Sequence, residues 1–144
     1  MFDKILLPTD GSEVSLAAAE RAVALAKLCG APLHVVFVQE PYPYAGIGAA
    51  SGAGMQAFQA AGQQQAAEAF ARIGELAQVP GVQLSTEIVE GSGPAERIVE
   101  AAARCGADLI VMGSHGRTGV ARVLLGSVAH KVLVLSPVPV LVVK

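Results

Sequence analysis

Short apolar runs alternate along this chain with longer stretches whose apolar residues recur every three or four positions. The first run lies in Phe2–Thr9, where Ile5, Leu6 and Leu7 read as a strand covered on both faces. Asp10-Gly11-Ser12 breaks it, and Ser12 is placed to cap a helix whose first turn carries Glu13. Leu16, Ala19, Val23 and Ala26 keep helical spacing in a segment that runs to Cys29, and Gly30 ends it. Leu33–Gln39, rich in Val with one Phe, predicts a second buried strand. Met55–Gln78 predicts a long Ala/Gln-rich helix with Phe70, Ile73 and Ala77 on one face. Pro80-Gly81 then turns the chain into Val82–Val89, where Val82, Leu84, Thr86 and Ile88 alternate as in a more exposed strand near a sheet edge. Gly91-Ser92-Gly93-Pro94 opens a third helix, which runs to about Cys105, with Pro94 in its tolerant first turn. Leu109–Met112 is the fourth strand and Ser127–Leu135 marks the final helix. Val138 and Val140–Val143 carry the last strand.

Strictly alternating strands and helices with short turns imply an α/β fold: a doubly wound, mainly parallel five-stranded sheet with helices on both faces. The segment of about 41–54 has no period and reads as a mobile loop inside a single domain spanning 1–144. The Ala/Gln bias of Gln56–Ala67 fits a helix at a solvent edge and asks for no functional account. In such a sheet, ligands bind beyond the carboxyl ends of the strands. Three segments leave strands there: Pro8–Ser12, Val38-Gln39-Glu40 and Met112–Gly119.

Composition narrows the class. With 144 residues, 53% of them apolar, the chain can bury a sizeable core, yet it has no unbroken apolar run long enough for a membrane span. Its opening lacks the layout of a signal peptide, so the cytoplasm is the expected compartment. A net charge of −2 argues against a general nucleic-acid binder. Cys29 and Cys105 have no metal or redox spacing and read as reduced structural thiols.

The chemistry concentrates after the fourth strand, in Gly113-x2-Gly116-x9-Gly126-Ser127. Glycines let backbone N–H groups approach an anion, and a helix opening at Ser127 adds unpaired donors and a favourable dipole. The commoner grips are missing: no GxxxxGK[ST] occurs, and only Gly11 follows the first strand where GxGxxG would stand. Without a lysine clamp, fast phosphoryl transfer is not expected. No nucleophile elbow, activated cysteine, paired carboxylates or metal-ligand spacing is visible, so Mg²⁺ would arrive with the nucleotide. Plainer roles stand beside these. The glycines could simply turn the chain, Ser127 could be an N-cap, and Asp10 could stabilise Gly11-Ser12. Arg117 and Arg122 could be solvated or face a second copy, and His115 could matter only through its backbone. His34 reads as structural, and His130 as a mid-helix residue.

The glycine pattern, with the opening KILLPTDGSEVS and the closing VPVLVVK, resembles the universal stress protein family along essentially the whole chain. The intact motif is similar to the ATP-binding branch of that family. The resemblance implies strand order 3-2-1-4-5 in an adenine-nucleotide alpha-hydrolase-like sandwich, and a homodimer formed through the last strand, here 138–143. It assigns Asp10 and the Val38 backbone to the adenine end, with Pro8 and Thr9 on the floor. Gly113 would face the ribose, and Gly116, Gly126, Ser127 and the Val128 amide would hold the phosphates. Met112, His115 and Arg117 complete the candidate ATP site. The implied function is a nucleotide-dependent stress-response module that binds neither nucleic acid nor membrane. The alternatives are a slow ATPase or autophosphorylating enzyme, with Ser127 or Thr118 as acceptor, and a chaperone-like dimer indifferent to nucleotide.

Overall fold

The computed structural model describes residues 1–43, 51–78, 80–115 and 125–144. Strands and helices alternate as β1 (Ile5–Thr9), α1 (Glu13–Cys29), β2 (Leu33–Gln39), α2 (Ser51–Gln78), β3 (Leu84–Glu90), α3 (Pro94–Cys105), β4 (Leu109–Gly113), α4 (Ser127–Leu135) and β5 (Val140–Val143). All pairings are parallel, and the sheet order is β3-β2-β1-β4-β5. The chain therefore reverses its winding between β1 and β4, and a crevice opens there beyond the carboxyl ends.

Side-chain parity divides the core. Ile5, Leu7, Leu33, Val35, Leu109 and Val111 point to one face, where they pack with Ala18, Ala22 and Ala26 of α1 and with Ile73 and Ala77 of α2. Leu6, Val36, Ile110 and Met112 point to the other, against Ile98 and Ala101 of α3 and Val132 of α4. The small alanines let helices sit close to a strand surface made of branched residues. Buried in this way on both faces, β1 and β4 read as continuous apolar runs instead of alternating ones.

Local signals fix the helix ends. The Ser12 hydroxyl accepts the Ser15 N–H at 3.2 Å and starts α1. Gly30 ends it in the left-handed region at φ 66°, and Gly106 ends α3 in the same way at φ 73°. After each, the next alanine reaches back inside the last turn: Ala31 N–H to Ala26 O, and Ala107 N–H to Ala102 O, both at 2.9 Å.

Three boundaries differ from the sequence reading. Helix α2 begins at Ser51, four residues inside the segment expected to be a loop, and β3 begins at Leu84 instead of Val82. Val138 stands outside β5; the Ser136 hydroxyl donates to its carbonyl at 2.8 Å and so holds it in a turn. The rest of the expected mobile loop, residues 44–50, lies outside the described residues.

Candidate functional site

The carboxyl ends of β1, β2 and β4 open into one cleft of about 790 Å³, within the range of small-molecule sites. Every candidate among the described residues lines it: Pro8, Thr9, Asp10, Val38, Met112, Gly113, His115, Gly126, Ser127 and Val128. Gly116 and Arg117, together with Thr118 and Arg122, lie outside the described residues.

At one end the β1–α1 turn is a hydrogen-bonded unit. Asp10 Oδ1 accepts the Ser12 N–H at 2.9 Å, and the Thr9 hydroxyl oxygen accepts the Gly11 N–H at 3.2 Å. The Ser15 hydroxyl donates to Ser12 O at 2.8 Å, so the Thr9 hydroxyl must be the donor in its 3.0 Å contact with Ser15 Oγ. Asp10 is thus a turn residue that also lines the cleft. Glu40 adds a second carboxylate to the lining, at the exit of β2.

At the other end, β4 feeds Ser114 into a tight junction. Ser114 is 2% exposed. Its N–H donates to Val143 O at 2.8 Å, its carbonyl accepts the Gly126 N–H at 2.6 Å, and its hydroxyl meets His115 Nδ1 at 2.8 Å. A Cβ on Gly126 would stand 2.8 Å from that same Ser114 carbonyl. Glycine is therefore required at 126 by a close backbone approach, although its φ of −68° and ψ of 158° are ordinary. Gly113 is nearly as constrained: a Cβ there would meet Val14 Cγ1 at 3.0 Å and Val14 O at 3.2 Å, in the first turn of α1.

One of the plainer readings does not hold, that of Ser127 as the N-cap. Gly126, not Ser127, is the N-cap of α4, and no side chain caps that helix end. Because the Gly126 N–H is spent on Ser114, the donors left for an anion are those of Ser127, Val128 and Ala129. The first intrahelical bond is made only by the His130 N–H, to Gly126 O at 2.9 Å. The dipole of α4 adds partial positive charge at the same place. Lys131 is turned away from this end and ion-pairs with Glu96 of α3.

The sequence reading missed the third wall. Phe58, Ala61, Gly62 and Gln65 of α2 line the cleft, so the Ala/Gln-rich stretch is not merely a solvent-edge helix. Pro94 and Ile98 of α3 close the opposite side. A spacing signal existed, since Phe58, Gly62 and Gln65 recur at helical intervals on one face. It pointed to a packed face without saying what that face packs against.

The model sequence of the Universal stress protein family matches residues 1–144, the whole chain. The chain belongs to the universal stress protein family. Among its relatives, the universal stress protein MJ0531 of Methanocaldococcus jannaschii is 41% identical over 144 residues, covering 100% of this chain and 83% of that protein. Among solved structures, the universal stress protein UspA from Lactobacillus plantarum superposes with a TM-score of 0.89 at 28% identity, covering 99% of this chain and 97% of that one. A universal stress protein solved in complex with cAMP gives a TM-score of 0.74 at 29% identity, with 99% and 97% covered. Stress response is accordingly the role of the family, and this universal stress protein shares its five-stranded parallel architecture. Among the described residues no helix is long and apolar enough to cross a membrane, and no group of three or more His, Cys, Asp or Glu side chains is arranged to hold a metal ion.

Proposed function

We propose that this universal stress protein binds ATP in the cleft, with any Mg²⁺ carried on the phosphates, and works in the cytoplasm as a nucleotide-dependent regulatory module. The observation that carries the reading is the polarity of the cleft. The carboxylates of Asp10 and Glu40 line it where β1 and β2 end, while unpaired N–H groups and the positive end of a helix dipole stand at α4. A triphosphate is repelled by the first end and held at the second, so the base belongs beside Asp10 and Val38. The cAMP complex of a relative supports an adenine ligand for a cleft of this shape. A bound nucleotide can act as a regulator only by favouring one state of the protein over another.

The test is the nucleotide content of freshly purified protein, released by denaturation and identified by chromatography, with Ser127→Pro beside it. Proline suits the first position of a helix, and the extended Gly126 tolerates a following proline. The substitution therefore deletes one N–H and one hydroxyl at the anion site while α4 stays formed. Near-stoichiometric ATP in the wild type is expected, with affinity in the variant reduced roughly 10- to 100-fold, as for loss of a hydrogen bond to a charged group. ADP in place of ATP would favour the slow-ATPase reading. A wild type that arrives empty and takes up no added ATP in calorimetry would overturn the proposal.

A further inference from the structure

We infer that the first half of α2 is a lid over the cleft, hinged near Ala66, and that Gln39 sets how readily it opens. The ligand beneath the lid is the nucleotide proposed above, and only that part rests on the nucleotide reading. Helix α2 is seated unevenly. From Ala66 onward it is built into the protein: Ala66, Ala69, Ile73 and Ala77 are buried, and Phe70 and Leu76 pack against the core. Arg72 adds an ion pair to Glu13 of α1 at 3.2 Å. Over 52–65, by contrast, Gly62 is the one buried residue, and none of these residues belongs to either core cluster. The stretch also holds Gly52, Gly54 and Gly62, each of which costs helix stability relative to alanine. Few buried apolar contacts and weak helix propensity mark a segment that opens locally, ahead of the rest.

What holds the first half down comes from β2 and its exit. Tyr42 lies over Gly54 and meets the Phe58 ring at 5.5 Å between centres, and the Gln39 side chain lies against Gly62. A methyl group on Gly62 would overlap the Gln39 amide, so the missing Cβ is what lets the helix come down here. Closure has a cost. Gln39 Oε1 is buried with no hydrogen-bond partner, and an unpaired buried acceptor disfavours the state that buries it. Lifting 52–65 returns that oxygen to water. The backbone of Gln39 is fixed, since its carbonyl accepts the Gly91 N–H at 3.1 Å. The unpaired group therefore sits under the part of α2 that the core does not hold.

The same stretch is a wall of the cleft. Phe58, Ala61, Gly62 and Gln65 line it, across from Pro94 and Ile98 of α3. A ligand in the cleft touches these residues only while the lid is down, and so favours the closed state.

Hydrogen exchange of the full-length protein, read by mass spectrometry of its peptides, tests this with and without ATP. In nucleotide-free wild type, 56–65 should exchange at least about 10-fold faster than 66–78. Saturating ATP should slow 56–65 by roughly 5- to 150-fold, the usual span of a coupling, and leave 66–78 unchanged. Two substitutions at the closing contact should act in opposite directions on 56–65 of the free protein. Gly62→Ala holds the helix off Gln39 and should speed exchange, although alanine is the better helix former. Gln39→Leu removes the unpaired acceptor and should slow exchange. A single rate for 56–65 and 66–78 in free protein, or slowing by Gly62→Ala, would overturn the lid. Speeding by Gln39→Leu would overturn the part assigned to Gln39. If ATP binds without slowing 56–65, the lid falls and the nucleotide reading stands. If wild type binds no ATP while 56–65 still opens as a separate unit and both variants respond as expected, the nucleotide reading falls and the lid stands.

Discussion

At the scale of single residues, a glycine motif can have two causes, and the structure separates them. Gly126 is needed because the Ser114 carbonyl lies where its Cβ would go, whether or not a phosphate ever arrives. That carbonyl is backbone, and Ser114 is pinned through its own N–H to Val143, so it cannot move aside cheaply. Gly126→Ala should therefore lower the unfolding free energy of nucleotide-free protein by about 1–3 kcal/mol, the usual cost of overpacking, as read from urea denaturation. An unchanged midpoint would mean that the junction yields. It follows that lost ATP binding in a glycine variant cannot by itself identify a phosphate contact, which is why Ser127→Pro is the sharper probe. The motif was legible in the sequence because its residues lie close together in the chain. The close packing of the Gln39 side chain on Gly62 was not, since neither residue is unusual until β2 and α2 are brought side by side.

At the scale of elements, the alternation of strands and helices was readable because β1, β2 and β4 are buried on both faces and their ends carry caps and breakers. The start of α2 was not. Gly52 and Gly54 are poor helix formers, and propensity alone favours a loop. Tyr42 lies directly over Gly54 and meets Phe58 in a tilted ring contact at 5.5 Å between ring centres, so packing overrides propensity. The two strands flanking the switch point are also tied at their amino ends, by a device with a pH signature. Asp108, just before β4, accepts the N–H groups of Asp3 at 2.9 Å and Lys4 at 3.0 Å, just before β1. These bonds favour the ionised carboxylate and hold its pKa below the ordinary 3.8. A carboxylate with a depressed folded-state pKa contributes stability above its unfolded value, and that contribution is lost as pH falls through the folded one. Asp108→Asn should lower the urea midpoint at neutral pH and flatten its fall below about pH 4, where the wild-type group takes up its proton. Parallel curves for the two proteins across the acid limb would show that the tie contributes nothing to the pH dependence.

At the scale of the whole molecule, the sheet has two edges that differ in character. Edge strand β3 presents Ser85, Thr86, Glu87 and Glu90, and Glu87 is bound by His34 at 3.0 Å and by Arg104 at 2.6 Å. Polar and charged side chains of this kind discourage edge-to-edge pairing. The edge at β5 has no such protection: Leu141 is 42% exposed, and the neighbouring helix α4 leaves Val134 70% exposed, with Leu133 and Leu135 each at 43%. An apolar edge strand beside an apolar helix end suits pairing with a second copy about a two-fold axis, where one patch serves both partners. The sequence suggested this edge, with Val140→Lys as the substitution to break it. Val140 packs into the core against β4 and α4, so altering it would confound folding with assembly. Leu141 belongs to neither buried cluster and does not line the cleft. Leu141→Lys should therefore convert a dimer of 14.6 kDa chains into monomers in sedimentation at micromolar concentration, with nucleotide content unchanged. If the variant stays dimeric, or the wild type is already monomeric, the β5 edge is not the interface. If it dissociates and also loses its nucleotide, the two are linked, because β5 and the anion-binding end of the cleft meet at Ser114. In that case assembly and nucleotide occupancy would be readings of one equilibrium, each shifting the other by the same factor.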